Sequence, residues 1–175
     1  APTLENIENL ILSGDAIYGF GNALNNAVTG NGAANNLYGD AGDDTLSGGD
    51  GDDLLDGGIG EDALIGGRGD DSYKVMDASE KITERAGEGF DTVRTYLASY
   101  VLGDNIEALL FSTPVAAVGT GNALANNISG YVANDQLDGK GGDDYVYGNE
   151  GNDTLFGGIG NDLLHGGTGN DAMTG

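Results

Sequence analysis

The chain has no cysteine, which excludes disulfide cross-links and thiolate metal centres. Cations are nearly as scarce: 6 lysines and arginines stand against 29 aspartates and glutamates, a formal net charge of −23. Such a chain repels itself when compact, and it repels nucleic acid and anionic membrane surfaces, so neither is expected as a partner. Apolar runs are short, the longest lying near Ala108–Phe111, so no membrane insertion is expected. Histidine occurs once, as His165, with no partnered nucleophile; no acid and base are paired as catalysis requires, so no enzyme activity is expected of these 175 residues. Few aromatics and high charge would by composition alone point to disorder, unless something neutralises the charge.

What is present in excess is glycine, 34 residues, and it is periodic. A nine-residue unit opens on glycine and reaches an aspartate at its sixth position. It reads GDAGDDTLS, GGDGDDLLD, GGIGEDALI and GGRGDDSYK over residues 39–74. It returns as GKGGDDYVY, GNEGNDTLF, GGIGNDLLH and GGTGNDAMT over residues 139–174. Two further, asparagine-rich units precede each array, from Gly21 and Gly30 and from Gly121 and Gly130. A fixed period of this kind is the mark of a solenoid, in which each repeat buries its apolar face only against its neighbours.

A longer repeat lies over the short one. GNALNNAVTG at residues 21–30 matches GNALANNISG at residues 121–130, an offset of 100, and Asn6-Ile7-Glu8 matches Asn105-Ile106-Glu107 at an offset of 99. The expected organisation is an apolar lead-in strand over residues 1–20, a first array over 21–74, a β-rich connecting segment over 75–120, and a second array over 121–175. The connecting segment is expected either to continue or widen the solenoid, or to form a small globular insertion. The start at Ala1 without methionine and the stop at Gly175 within a repeat read as a fragment of a longer protein.

Position eight is apolar throughout: Val28, Leu37, Leu46, Leu55, Leu64 and Tyr73, then Ile128, Leu137, Val146, Leu155, Leu164 and Met173. One inward residue between two outward ones describes a three-residue strand. Six residues of glycine-rich turn then reverse the chain. Two units complete an 18-residue coil, so the expected fold is an all-β parallel solenoid with short strands on two faces. Its core is thin and is not expected to hold unaided.

Stacking by 18 residues places position-six side chains in columns. The first array stacks Asn26, Asp44 and Asp62 on one side and Asn35, Asp53 and Asp71 on the other. The second stacks Asn126, Asp144 and Asp162, and Asp135, Asp153 and Asp171. Facing carboxylates repel if bare, and a hard cation completed by turn carbonyls converts repulsion into coordination. Calcium accepts six to eight oxygens at roughly 2.3–2.6 Å in tolerant geometry, whereas magnesium keeps a smaller, wetter shell. Zinc wants imidazole or thiolate. The Asp–Asp pairs 44/62, 53/71, 135/153, 144/162 and 153/171 predict about five Ca²⁺ ions.

These units resemble the GGxGxDxUx nonapeptides of the RTX (repeats-in-toxin, hemolysin-type) family, closely over residues 39–74 and 139–174 and loosely over 21–38 and 121–138. The resemblance implies a right-handed parallel β-roll, with Ca²⁺ held between stacked turns by the position-six aspartates and turn carbonyls. Carried onto this chain it names Asp44, Asp53, Asp62, Asp71, Asp135, Asp144, Asp153, Asp162 and Asp171. With them come carbonyls near Gly42, Gly51, Gly60, Gly69, Gly142, Gly151, Gly160 and Gly169. It further implies a secreted bacterial protein exported by type I secretion, folding on calcium outside the cell as a spacer or stabilising module beside other domains.

Departures from the pattern are Lys140 and Asn149 in place of the second glycine, and asparagine at position six in the units that open at Gly21, Gly30 and Gly121. The position-five acids Asp43, Asp52, Glu61, Asp70 and Asp143 read as outer-shell charge or solvated surface. Tyr145 and Tyr147 would project outward beside Leu163 and His165, a platform for a sugar ring or a neighbouring domain. With the basic residues Lys74, Lys81, Arg85 and Arg94, this supports an alternative: a polysaccharide-binding accessory module, as in the alginate-modifying epimerases that carry RTX modules. The ordinary reading of the same tyrosines is outward residues of a small sheet. Positions seven and nine carry no threonine ladder, so an ice-binding solenoid is excluded.

Overall fold

The computed structural model describes residues 8–175; the first part of the lead-in, residues 1–7, lies outside the described residues. The chain divides into two compact units, Ala1–Asp91 and Thr92–Gly175. Among the described residues there is no helix, and every pairing between strands is parallel. Each unit is a β-solenoid of stacked coils, as the period predicts.

The first unit contains β1 (Asn9–Ile11), β2 (Tyr18–Asn22), β3 (Ala27–Thr29), β4 (Asn36–Ala41), β5 (Thr45–Asp50), β6 (Leu54–Ile59), β7 (Ala63–Arg68), β8 (Ser72–Val75) and β9 (Lys81–Thr83). Odd strands line up as β1-β3-β5-β7-β9 and even strands as β2-β4-β6-β8. The register is an unbroken 18-residue step, for example Leu10 to Val28, Leu46, Leu64 and Ile82. On the opposite face Gly19, Leu37, Leu55 and Tyr73 stand in line. The β9 pairing shows that residues 81–83 of the former connecting segment stack as a coil of this unit.

The second unit contains β10 (Thr92–Thr95), β11 (Ser99–Val101), β12 (Ala108–Phe111), β13 (Val118–Thr120), β14 (Asn127–Ser129), β15 (Gln136–Asp138), β16 (Tyr145–Glu150), β17 (Thr154–Phe156), β18 (Leu163–Thr168) and β19 (Ala172–Thr174). Even strands run β10-β12-β14-β16-β18 and odd strands β11-β13-β15-β17-β19. The early steps are irregular: Thr92 pairs with Ala108 and Ala108 with Asn127, after which 18 holds. The irregular coil has larger contents, with Leu102, Ile106, Leu109 and Phe111 all buried. Gly119 takes the inward place beside them because a Cβ there would stand 2.6 Å from the Phe111 ring. Residues 92–120 thus escape a nonapeptide count although their strands stack as coils.

The core is one side chain deep. Val28, Leu37, Leu46, Leu55, Leu64, Tyr73, Ile128, Leu137, Val146 and Leu155 are each 0–1% exposed. Leu164 is only half-buried and Met173 is 52% exposed, because they lie on β18 and β19, the end strands of their sheets. The strands also differ from the expected three residues: β4, β5, β6, β7, β16 and β18 each hold six. Pairing there runs on through the opening glycines, as in Gly49 with Gly67 and Asp50 with Arg68.

Depth in a one-residue core makes each inward leucine count. Leu55→Ala is expected to cost about 2–5 kcal/mol. Ile59→Ala, at an outward position that is 76% exposed, should stay within about 0.5 kcal/mol. Denaturant unfolding in saturating calcium separates the two; equal effects would contradict the inward assignment.

Candidate calcium site

Position six is held by its neighbours one coil away. The backbone N–H of Asn26 donates to Oδ1 of Asp44 at 2.7 Å, and that of Asp44 donates to Oδ1 of Asp62 at 2.8 Å. The second column repeats this from Asn35 to Asp53 and from Asp53 to Asp71, at 2.7 and 2.8 Å. In the second unit Asn126 donates to Asp144, Asp144 to Asp162, Asp135 to Asp153 and Asp153 to Asp171, at 2.7–3.0 Å. One oxygen of each carboxylate therefore ties successive coils together.

The other oxygen is left over. Oδ2 of Asp44, Asp53, Asp62, Asp71, Asp144 and Asp153 is buried and has no hydrogen-bond partner. It sits in the space above the opening glycine of its own turn, where a Cβ would collide with it. A Cβ on Gly39 would strike both Asp44 Oδ2 and the Gly57 carbonyl oxygen, and one on Gly48 both Asp53 Oδ2 and the Gly66 carbonyl oxygen. Gly139 and Gly148 repeat the arrangement with Asp144 and Gly157, and with Asp153 and Gly166. Carboxylate and carbonyl acceptors thus converge with no donor between them. A buried polar atom without a partner costs roughly 1–3 kcal/mol, and more if charged. A hard, oxygen-seeking cation is the group that fits such a set.

The residues anticipated from the sequence fall into distinct places. Gly42, Gly51, Gly60, Gly69, Gly142, Gly151, Gly160 and Gly169 all have positive φ, between 107° and 152°. The carbonyls of Gly42, Gly51, Gly142 and Gly151 face the equivalent glycine one coil on. The carbonyls beside the aspartate Oδ2 atoms belong instead to the opening glycines. The position-five acids form an outer ladder: Oδ1 of Asp43 accepts the N–H of Glu61, Asp52 that of Asp70, and Asp143 that of Asn161, at 2.8–3.0 Å.

Position two decides which turns are left with an unpaired oxygen. In the asparagine-rich turns the N–H of Asn22, Asn31 and Asn122 donates to the position-six oxygen of Asn26, Asn35 and Asn126, at 2.6–2.8 Å. In the acidic turns position two has positive φ, including the non-glycine residues Asp40 (83°), Lys140 (76°) and Asn149 (76°). There no such bond closes the turn. Lys140 and Asn149 are thus accommodated in the glycine conformation. Asp135 behaves differently: Tyr131 N–H donates to its Oδ2 at 2.8 Å, so its turn closes as the asparagine turns do.

Three acidic residues outside the nonapeptide count join the columns. Glu80 stands 18 residues after Asp62 and accepts the N–H groups of Met76 and Asp77 at 3.0 and 3.2 Å. Glu84 stands 18 residues after Gly66. Asp91 accepts the N–H of Asp71 at 2.9 Å across a step of 20. The signal for Asp91 was in the sequence: Gly89-Phe90-Asp91-Thr92-Val93-Arg94 has the pattern of positions four to nine, displaced by two residues.

Burial pushes the column carboxyls up. Asp44 and Asp53 rise from 3.8 to about 6, and Asp71 to about 7, with burial as the largest cause in each and like-charged neighbours adding to it. The carboxyls of Asp62, Asp144 and Asp153 are raised for the same reason. Because the folded values lie above the unfolded one, protonation stabilises the ion-free fold. That stability is fully present below the unfolded value and is lost as pH rises through the folded values. In chelator, β-type circular dichroism is therefore expected to grow as pH falls from about 7 towards 4. A signal that is flat or falls over that range would contradict the buried-carboxyl geometry.

Comparison with known proteins agrees with this geometry. A family profile described as the RTX calcium-binding nonapeptide repeat (4 copies) matches residues 20–55, 38–73, 120–155 and 147–175. No curated protein matches the chain. The matched residues cover more than half of the chain and coincide with the stacked acidic turns, and the protein belongs to the RTX calcium-binding nonapeptide repeat family.

Proposed function

We propose that this calcium-binding repeat module is non-catalytic and acts as a calcium-triggered folding and spacer element of a secreted bacterial protein. The observation that carries the reading is the set of buried, unpaired Oδ2 atoms stacked over the opening glycines. Without cations these carboxylates repel across each coil step, and a core one residue deep does not compensate. With Ca²⁺ bound, binding free energy becomes folding free energy. Extracellular modules of this kind bind at about 10⁻⁴–10⁻³ M, so the chain stays extended at low cytosolic calcium and folds outside. That suits export through a narrow channel, the type I route typical of the family.

Four Asp pairs begin on an aspartate whose Oδ2 is buried and unpaired: Asp44 in 44/62, Asp53 in 53/71, Asp144 in 144/162 and Asp153 in 153/171. We assign Ca²⁺ to these, held by the aspartate carboxylates and the carbonyls of the opening glycines. The 135/153 pair, counted among five by spacing alone, differs because Tyr131 already satisfies Asp135.

A second reading has its own observation. Tyr145 and Tyr147 lie half-exposed on β16, and Tyr147 stands 6.0 Å from the His165 ring. In the first unit Tyr18, Phe20 and Tyr38 stack at 6.1 and 5.1 Å beside a cleft of about 620 Å³. Flat aromatic faces of this kind bind sugar rings. Binding of alginate-type oligomers that is lost in Tyr147→Ala would support a polysaccharide-binding accessory role; no binding across a glycan panel would remove it.

The principal test is a calcium titration followed by circular dichroism, with magnesium as the control and calorimetry to count ions. A cooperative coil-to-β transition driven by calcium alone is expected, and a folded spectrum in chelator at neutral pH would sink the folding-switch reading. In the same assay Asp153→Asn should lower the ion count, whereas Asp135→Asn should leave it unchanged.

A further inference from the structure

The second acidic column of the first unit ends differently from the turns above it. β9 pairs with β7 as Ala63 to Lys81, Leu64 to Ile82 and Ile65 to Thr83. The next residue, Glu84, therefore takes the place an opening glycine would occupy one coil after Gly66. Above the preceding glycines of this column, Gly30 and Gly48, the space is closed by a carbonyl oxygen from the following coil, that of Gly48 and Gly66 respectively. Above Gly66 it is closed by Glu84 Oε1 and the Tyr73 hydroxyl, together with Asp71 Oδ2. A side-chain carboxylate has replaced a backbone carbonyl.

Asp91 completes the group. It lies one lengthened coil beyond Asp71 and accepts its N–H at 2.9 Å. One oxygen from each of Asp71, Glu84 and Asp91 lies within 4.8 Å of the others. The three residues are 1%, 8% and 1% exposed. Asp71 Oδ2, aimed into this space, is buried without a hydrogen-bond partner. Oxygens that share one Ca²⁺ at roughly 2.3–2.6 Å stand no more than about 5 Å apart, so the spacing suits a single ion.

Tyr73 has a part in the arrangement. Position eight holds leucine in the two coils above it, Leu37 and Leu55. Tyr73 keeps the inward, fully buried place, and its hydroxyl donates to Glu84 Oε1. A hydrogen bond of this kind orients a ligating carboxylate without contacting the ion.

We infer that Asp71, Glu84 and Asp91 form an additional Ca²⁺ site, built from three carboxylates, that closes the second column of the first unit. The inference rests on the reading of the acidic columns as calcium sites. It goes beyond the nonapeptide repeat, because two of the three ligands lie outside it and one substitutes for a backbone carbonyl. More ligand charge gives tighter calcium binding, so this site is expected to fill before the two-aspartate sites and to anchor that end of the column.

The test uses the full chain with Ca²⁺ in calorimetry and Tb³⁺ as a luminescent substitute. Glu84→Gln is expected to bind one Ca²⁺ fewer, the missing ion coming from the tightest class. Asp91→Asn should show the same loss. Tyr73 places its hydroxyl beside Asp71 Oδ2 and Glu84, so at one equivalent of Tb³⁺, which fills the tightest site first, tyrosine-excited emission is expected from the intact chain and should be largely lost in Tyr73→Phe. An unchanged ion count in both carboxylate variants would overturn the site, and would mean that a shared proton neutralises the cluster. Emission at one equivalent that is unaffected by Tyr73→Phe would overturn it independently, even if a carboxylate variant failed to fold. Loss of all calcium binding by the unmodified chain is a different result, and would refute the reading of the columns themselves.

Discussion

The structure depends on how a single carboxylate divides its two oxygens. Oδ1 of each position-six aspartate accepts a backbone N–H from the coil before it, as Asp62 does from Asp44 and Asp71 from Asp53. That bond sets coil on coil in an 18-residue register. The same geometry carries Oδ2 into a buried space facing a carbonyl oxygen. The contact that builds the solenoid therefore also creates its electrostatic problem, repeated along each column. The same side chain serves both the register of the coils and the acceptor set that suits a cation.

Backbone conformation at position two separates turns with an unpaired carboxylate oxygen from turns closed by their own chain. With ordinary φ, as at Asn22, Asn31, Asn122 and Tyr131, the N–H points to the position-six oxygen and the turn is closed by its own chain. With positive φ the N–H is withdrawn and the oxygen waits for another partner. Glycine enters this conformation without penalty, whereas for L-residues left-handed backbone costs roughly 1–2 kcal/mol. Asp40, Lys140 and Asn149 accept that cost. The asparagine-rich turns thus give each unit a stretch closed by its own hydrogen bonds beside acidic turns whose carboxylate oxygens are left unpaired.

Much of this was legible in the linear pattern. Glycine and aspartate at fixed positions imply parallel coils, and leucine at position eight identifies the inward face. Absence of cysteine and scarcity of histidine narrow the metal to an oxygen-seeking ion. Residues 75–120 were less legible because their coils lengthen or shorten: Phe111 demands room, Gly119 supplies it, and the step shifts from 18 to 16 and 19. Glu84 was hidden because a side chain there does the work of a main-chain carbonyl, and Asp91 because two added residues displace it.

The sequence by itself determined the period, the inward positions, the aspartate columns and the kind of cation they suit, since each follows from residue type at regular spacing. Only the tertiary structure decided which oxygens are left unpaired. Pairing depends on the direction of individual N–H groups, and that direction turns on the sign of φ at one residue per turn. It is also why Asp135 parts from Asp153, while a side chain in place of a carbonyl and a coil lengthened by two residues bring Glu84 and Asp91 to Asp71.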